Sequence, residues 1–335
     1  MIDRSYQKFK RNRRAMFSLR LFLIIFSAAL CANFIANDKP LLIYFNNQFF
    51  FPQLSSLNSQ NFGDIIPLKI DYNLPDFIDH IYESGGWIIR CPIPFSYNTI
   101  DFYHTAPFPN GPDARHLLGT DAAGHDVVAI LLYGLRISIL FGVLLCSLSA
   151  IIGILIGGLC GYFGGMVDIF GQRLLELWSS LPTLYILIIL SSIAQPGFWM
   201  LLFIMTLVSW MSVVGVVRAE FFRVRSEDYV TCAQIMGAKH FYIALNHILP
   251  NALTATITLL PFLLSGAIVG LSSLDFLGFG LPVDYPSIGK LMLSAKQNLQ
   301  APWLSLSAFG VLTVILSLLV FTGEGLRDAL DPRHN

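Results

Sequence analysis

The sequence predicts an all-α membrane protein with six transmembrane helices and an external insertion after the first helix. Of its 335 residues, 55% are hydrophobic and only 13% are charged, whereas soluble domains carry charge on about a quarter of their residues. Six windows are apolar enough to cross a hydrocarbon core, which needs about 20 apolar residues per helix. Because lipid offers no partners for backbone amides, these windows are expected to be helical.

The charges are separated along the chain, although the formal net charge is zero. Residues 1–20 hold seven Lys or Arg and one Asp, residues 37–126 hold four bases and ten acids, and the remaining positions balance. The positive-inside rule therefore predicts a cytoplasmic basic tail, 1–20, and an external segment, 37–126, which is periplasmic if the family resemblance given below holds. Six crossings would return the C-terminal tail, 328–335, to the cytoplasm. A nucleic-acid binder with a basic surface and a disordered chain are both excluded.

The six windows follow one another with recognisable boundaries. The first is short but can be extended if Arg20 snorkels to the interface, the second is rich in Gly, and the fifth contains Pro261, where a kink is expected. A cleavable signal peptide is the rival interpretation of the first window; it would leave five spans and misplace the C-terminal Arg residues. The windows are 21–36, 137–162, 174–194, 198–217, 252–274 and 303–321.

The segment 37–126 differs from the rest of the chain in composition. It contains nine of the 17 prolines and several aromatic clusters. Short apolar runs separated by Pro and Gly predict small strands and loops rather than helix. The sequence leaves open whether this segment is a compact insertion or an irregular cap.

The loop 219–250 contains a predicted docking helix. Ser226, followed by acidic residues, is a helix-start signal. Tyr229, Ala233 and Met236 then recur at helical spacing and predict an apolar face. Gly237 is expected to end or closely pack this helix. Such an element either docks a soluble partner or lies on the lipid surface, and its pattern alone favours neither.

This loop resembles the one that permeases of ABC importers dock on their ATPases, which usually reads E-A-A-x3-G-x9-I-x-L-P. The match consists of Ala233, Gly237, Leu249 and Pro250 at the right spacing, with Thr231, Cys232 and His247 as departures. Two flanking signatures are similar to those of the dipeptide/oligopeptide/nickel permease family, the first with His125 in place of the usual Arg. The signature residues are Gly119, Thr120, Asp121, Gly124 and Asp126 before the second window, and Asp331 and Pro332 near the C-terminus.

The chain is therefore identified as a member of that family over about residues 114–333. Segments 96–101 and 295–303 look like the branch that imports oligopeptides and microcin C-type antibiotics. The resemblance implies a type-1 ABC importer permease fold in residues 135–327, with 219–250 as the cytoplasmic coupling loop. The implied docking residues are Asp228, Tyr229, Ala233, Gly237, Lys239, Leu249 and Pro250.

The resemblance also implies a non-catalytic, multi-pass subunit of the bacterial inner membrane. Its partners would be a second homologous permease, two ATPase subunits that bind the ATP, a periplasmic substrate-binding protein and membrane lipid; no cofactor and no nucleic acid is expected. The predicted function is the peptide-conducting permease of an ATP-driven importer.

Three alternatives remain open. A nickel or dipeptide permease would share the same signatures. An ion-coupled secondary transporter is disfavoured because the windows lack acidic relay residues at membrane depth. A membrane-anchored assembly protein would leave the loop motif unexplained. His116, His125, Asp121 and Asp126 form a possible metal-ligand set, weighed against an ordinary loop.

Overall fold

The computed structural model of the chain describes residues 2–55, 57–58, 62, 70–102, 107–193 and 197–330. The chain divides into two compact units. The first unit comprises Met1–Leu23, Ser138–Pro282 and Thr313–Asn335, and the second comprises Ile24–Ile137 and Val283–Leu312.

Helices dominate the described residues. In chain order they are α1 (Ile2–Arg11), α2 (Arg13–Leu30), α3 (Ala32–Ile35), α4 (Pro75–Glu83), α5 (Val127–Phe163), α6 (Gly165–Ser179), α7 (Thr183–Ile193), α8 (Phe198–Ser209), α9 (Met211–Arg225), α10 (Asp228–Ile235), α11 (His240–Ile243), a π-helical turn (Ala244–Ile248), α12 (Leu249–Leu277), α13 (Ile288–Gln297) and α14 (Pro302–Leu330). The strands are β1 (Leu42–Phe45), β2 (Gln48–Phe50) and β3 (Trp87–Ile89).

Three helical stretches in the described residues are long and apolar enough to cross a membrane. They are α5, the continuous run His240–Leu277 and α14, which contain the second, fifth and sixth predicted windows. Two bent helix pairs raise the number of candidate spans to at most five: α6 with α7, bent by 71°, and α8 with α9, bent by 42°. The third and fourth windows are therefore bent pairs rather than single straight helices. Pro182 stands at the first bend and lacks the N–H that would continue the helix.

The helix of the first predicted window is not among the candidate membrane spans of the described residues. This helix, α2, begins eight residues earlier than predicted, at Arg13, and its 18 residues include Arg14 and Arg20. The helix is also interrupted at Cys31, before the single turn of α3. By length and composition, the described residues thus contain three to five candidate membrane spans. The predicted count of six is not confirmed.

Glycines of the second predicted window bring α5 into close contact with α9. Gly153, Gly157 and Gly161 form one face of α5, and this face lies against α9. A Cβ atom on Gly157 would come within 2.8 Å of the carbonyl oxygen of Val214. Small residues at such positions let two backbones approach, which strengthens helix association where lipid removes the hydrophobic driving force.

Helix α12 runs through Pro261 without interruption, and the hydroxyl of Ser265 donates to the Pro261 carbonyl at 2.9 Å. The helix ends at Gly278, whose φ of +82° is a left-handed conformation that glycine adopts without strain. Asp275 then accepts a hydrogen bond from the Leu281 amide at 2.7 Å and fixes the chain beyond the helix.

The second unit contains a three-stranded antiparallel sheet in the order β2-β1-β3. Ile43 pairs with Phe50 on one side and with Ile88 on the other. A small core lies at this sheet and contains Ile43, Phe45, Phe62, Tyr72 and Ile81. The predicted strands are confirmed, but α4 was not predicted; its signals are Pro75 in the first turn and the spacing of Phe77 and Ile81.

We predict that Gly157→Ala lowers the thermal unfolding midpoint of the detergent-solubilised protein. The new methyl group would collide with the α9 backbone, and overpacking of this kind costs about 1–3 kcal/mol. The matched control is Gly215→Ala, because a Cβ atom on Gly215 in α9 meets no described atom of the chain within 4 Å. Equal midpoints for the two variants would contradict the proposed close contact.

Candidate functional site

The coupling loop folds as two short helices joined by a tight turn. Helix α10 starts at Asp228, with Glu227 in an extended conformation at its N-cap and no side-chain cap. The predicted helix start at Ser226 is therefore wrong. Ser226 closes α9 instead, and its hydroxyl donates to the carbonyl of Phe222 at 3.3 Å. Asp228 does lie in the first turn of α10, where a carboxylate is stabilised by the helix dipole.

Gly237 ends α10 through its backbone conformation. Its φ is +79°, its amide donates to Gln234 at 2.9 Å, and the next amide, of Ala238, donates to Ala233 at 3.1 Å. This pair of hydrogen bonds is a Schellman motif, which glycine adopts without strain. A Cβ atom on Gly237 would meet no described atom within 4 Å, so the residue ends the helix rather than packing it closely within this chain.

The residues of the predicted apolar face of α10 are divided between the inside and the outside of the protein. Of its three residues, Ala233 is buried, but Tyr229 and Met236 are 46% and 80% exposed. Val230 takes the inner position instead and is fully buried. Val230 and Ala233 belong to a core cluster that also holds residues of α5, α9, α11 and α12, among them Tyr162 and Ile243.

Polar contacts fasten this loop to the neighbouring helices. The hydroxyl of Tyr162, in the last turn of α5, is hydrogen-bonded to Nδ1 of His240 at 2.8 Å. The guanidinium of Arg225 donates to the carbonyl of Tyr162 at 2.7 Å. At the start of α12, Nδ2 of Asn251 donates to the Tyr229 hydroxyl at 3.3 Å. The loop is thus held by both packing and hydrogen bonds.

The outward side of the loop carries large apolar side chains that are largely exposed in the described chain. We call this set the coupling surface. Tyr229 and Met236 were named by the sequence analysis; the other members were missed, although the apolar run after Lys239 was a usable signal. The coupling surface consists of Tyr229, Ile235, Met236, Phe241, Tyr242 and Leu245, which are 43–81% exposed.

The predicted docking residues lie in different environments. Asp228, Gly237, Lys239 and Pro250 are exposed, as is Tyr229, so a partner could reach them. Leu249 is half-buried and packs against the core cluster. Ala233 faces inward and can affect docking only through the position of α10.

The first signature block lies in the second unit and forms a tight turn. Gly119 and Gly124 have φ values of +75° and +89°, and a Cβ atom on Gly119 would lie 2.6 Å from the Asn110 carbonyl oxygen. The hydroxyl of Thr120 accepts from the Asn110 amide at 2.9 Å. The indole of Trp303 donates to the Thr120 carbonyl at 3.2 Å. The block thus packs on Trp303, which belongs to the segment 295–303 named in the sequence analysis.

Two acidic residues of the block have structural partners. Asp121 accepts hydrogen bonds from the amides of Ala123 and His125 at 2.9 and 2.8 Å, and its second oxygen lies 3.1 Å from Nδ1 of His125. Asp126 accepts from the Ala129 amide at 2.8 Å and caps the start of α5. The second signature, Asp331 and Pro332, lies outside the described residues.

His116 is buried between two carboxylates. Its Nδ1 lies 2.8 Å from Oδ2 of Asp126, and its Nε2 lies 3.3 Å from Oδ2 of Asp101. Arg115 forms an ion pair with the same oxygen of Asp101 at 3.3 Å. The possible metal-ligand set of the sequence analysis is divided between this cluster and the His125–Asp121 pair. Among the described residues, no group of three or more His, Cys, Asp or Glu side chains is arranged so that it could hold a metal ion.

The two carboxylates hold the proton on His116. Burial alone would lower the pKa of this imidazole, but the hydrogen bonds and charges of Asp126 and Asp101 outweigh it and raise the pKa above its usual value. Since the folded state binds this proton more tightly, the cluster stabilises the second unit fully below about pH 6.5, the ordinary pKa of His. This stabilisation is lost as the pH rises through the folded-state pKa.

We therefore predict that His116→Asn lowers the thermal unfolding midpoint most at acidic pH. The deficit relative to the wild type should shrink as the pH rises through the folded-state pKa, because the wild type then loses the same charge. The control is His80→Asn, which removes an exposed histidine of α4 whose Nε2 lies 3.1 Å from the Phe62 carbonyl oxygen rather than beside a carboxylate. A deficit of His116→Asn that stays constant across this pH range would refute the assignment.

Comparison with known proteins agrees with this architecture. Residues 153–335 match the family described as "Binding-protein-dependent transport system inner membrane component". Residues 2–58 match the "N-terminal TM domain of oligopeptide transport permease C".

Two relatives match nearly the whole chain, and a third matches about two thirds of it. An inner membrane ABC transporter permease protein of Escherichia coli, YejE, is 49% identical over 98% of this chain and 96% of its own length. A peptidoglycan transport system permease protein of Agrobacterium fabrum is 45% identical over 98% and 92%. A dipeptide transport system permease protein of Bacillus subtilis is 33% identical over 66% and 70%.

These matches confirm the family resemblance drawn from the loop motif and the first signature block, and they do not favour the alternatives. Members of the family are non-catalytic permease subunits that work with ATPases and substrate-binding proteins. The chain belongs to the family of binding-protein-dependent inner membrane ABC importer permeases.

Proposed function

We propose that this chain conducts peptides across the inner membrane as one half of an ATP-driven import pathway. The observation that carries the proposal is the coupling surface, an exposed apolar patch on a loop that is fastened to the membrane helices. The names of the relatives, which mention dipeptide and peptidoglycan transport, support a peptide-containing cargo. Segments 96–101 and 295–303 resemble the oligopeptide and microcin C branch of the family. This resemblance narrows the proposed cargo to oligopeptides or peptide-nucleotide antibiotics of the microcin C type.

The proposed complex contains a second homologous permease, two ATPase subunits and a periplasmic substrate-binding protein. The coupling surface has the composition of a docking site, because large apolar and aromatic side chains contribute most of the binding energy in protein interfaces. Exposed Asp228 and Lys239 flank it and would select a partner of complementary charge.

Movement of the ATPases would reach the membrane helices through the inner side of the same loop. Tyr162, His240 and Arg225 connect α5, α11 and α9 by hydrogen bonds of 2.7–2.8 Å. Their packing extends into α12 through Ile248 and Ala252. A displacement of α10 would therefore shift these helices together, which is what alternating access requires.

For the membrane topology we propose six crossings, with α2 as the first. Lys10, Arg11, Arg13 and Arg14 precede its apolar part and favour a cytoplasmic N-terminus. Residues 37–126 are then periplasmic, the permease domain 135–327 contains the other crossings, and the tail 328–335 is cytoplasmic.

We predict that the double variant Met236→Ser, Phe241→Ser weakens binding of the ATPase subunits by at least about tenfold, since apolar anchors of an interface often contribute 2 kcal/mol or more. The measurement is co-purification of the ATPases with the tagged permease, followed by titration. The control, Val283→Ser, removes an equally exposed apolar side chain (91%) in the second unit. If the double variant binds the ATPases as the wild type does, the loop lies on lipid instead.

We also predict that Gly237→Leu uncouples ATP hydrolysis from transport. A left-handed φ is disfavoured for Leu, so the end of α10 would be displaced. Gly237→Asn should retain most of the coupling, because Asn tolerates this conformation. The measurement is the ratio of peptide imported to ATP hydrolysed in reconstituted vesicles.

Gly85→Leu is the matched control for this strain. Gly85 has φ +74°, follows α4 in the second unit and has no described atom within 4 Å of an added Cβ. The Gly85→Leu variant should have similar backbone strain without a change in the ratio of peptide imported to ATP hydrolysed. Normal coupling in Gly237→Leu would contradict the proposed role of the turn.

A further inference from the structure

A cavity of about 220 Å³ lies within the first unit, among α5, α8, α9 and α12. Each helix contributes one face to its lining. Cys146 and Ser149 come from α5, Met205 and Ser209 from α8, Ser212 from α9, and the stretch after Pro261 lines it from α12. Cys146 and Ser149 are three positions apart on α5, and Met205 and Ser209 are four positions apart on α8. Residues at these spacings lie on the same side of a helix.

The cavity contains a buried hydroxyl without a hydrogen-bond partner. Ser149 is 1% exposed, and its Oγ has no hydrogen-bond partner among the described residues. An unsatisfied buried polar atom costs about 1–3 kcal/mol. A group that enters the cavity and pairs with this hydroxyl would recover that cost, so the atom itself points to a ligand.

Two further hydroxyls lie in the lining. Ser209 donates to the Met205 carbonyl at 2.8 Å, and Ser212 donates to the Ser209 carbonyl at 2.7 Å. Each hydroxyl oxygen keeps lone pairs that can accept from a ligand. Ser149 can both donate and accept. No Asp, Glu, Lys, Arg or His is among the described residues of the lining, and the rest of it is largely apolar.

These features define the chemistry of the occupant. An ion would find no counter-charge, and a hydrocarbon chain would leave the Ser149 hydroxyl unsatisfied. A peptide unit presents both an N–H donor and a C=O acceptor without net charge. The volume is below the roughly 300–1,000 Å³ of pockets that enclose whole small molecules, so it fits one residue of a longer chain.

We propose that this cavity is a cargo subsite that binds one uncharged residue of a peptide during translocation, with Ser149 pairing to the peptide backbone. The inference rests on the proposed function, because it assigns part of the pathway to α5, α8, α9 and α12. A backbone-directed site with an apolar lining would accept many side chains, which leaves selection of the cargo to the substrate-binding protein.

The native cysteines serve as the reporters, so no cysteine has to be introduced. Cys146 lines the cavity, whereas Cys160 lies on the same helix, is also buried, and belongs to a different surface, against Gly171. The assembled transporter, reconstituted in vesicles, is treated with methyl methanethiosulfonate with and without trialanine. Site-resolved mass spectrometry then measures the labelling rate of each thiol.

Trialanine should slow the labelling of Cys146 several-fold and leave that of Cys160 unchanged. Ser149→Ala should raise the trialanine concentration for half-maximal protection by about three- to tenfold, the effect of one hydrogen bond. Equal rates at Cys146 with and without peptide, or protection unaltered by Ser149→Ala, would overturn the proposal and leave a cavity that holds water or lipid only.

Accumulation of trialanine in the same vesicles is measured in parallel. It distinguishes a failure of the proposed subsite from a failure of the proposed importer function. ATP-driven uptake without protection of Cys146 refutes the subsite and retains the importer. Protection of Cys146 without any uptake supports the subsite and counts against the importer. Absence of both overturns the two proposals together.

Discussion

The close approach of α5 and α9 is the contact on which the first unit depends. Where Gly157 and Gly161 face α9, the two backbones touch directly, because an added Cβ would lie within 2.8 Å of an α9 carbonyl. Helices in lipid gain little from the hydrophobic effect, so dispersion between close-packed surfaces supplies much of their association. The chain leaves α9 directly into the coupling loop. The geometry of this helix pair therefore sets where the loop lies.

The coupling loop has two sides in different environments. Val230 and Ile243 are fully buried in a cluster shared with α5, α9 and α12, while the coupling surface on the other side presents large apolar side chains that are 43–81% exposed. In the proposed complex, a flexible loop would absorb the movement of a docked subunit. A loop that is packed and hydrogen-bonded, as through Tyr162 and His240, would instead transmit this movement to the helices, since close-packed interiors deform little.

In the second unit, the first signature block serves the structure rather than chemistry. Its glycines occupy left-handed turn positions, Thr120 contacts Trp303, and Asp126 both caps α5 and pairs with His116. His125 has an acidic partner in Asp121. The block that resembles the family signature thus also connects the start of α5 to Trp303, in the first turn of α14.

The sequence by itself determined the apolar helices, the charge separation that suggests the membrane orientation, and the special backbone role of Gly237 at the end of α10. These are local properties: hydropathy depends on composition, and the left-handed turn at Gly237 needs a residue without a side chain. Only the tertiary structure decided that α10 buries Val230 rather than Tyr229, because an eight-residue helix with apolar residues on several sides has no unique inward face in its pattern. It likewise decided that His116 lies between Asp101 and Asp126, because the sequence analysis grouped His116 with Asp126 but not with Asp101, which meets it only in the folded chain.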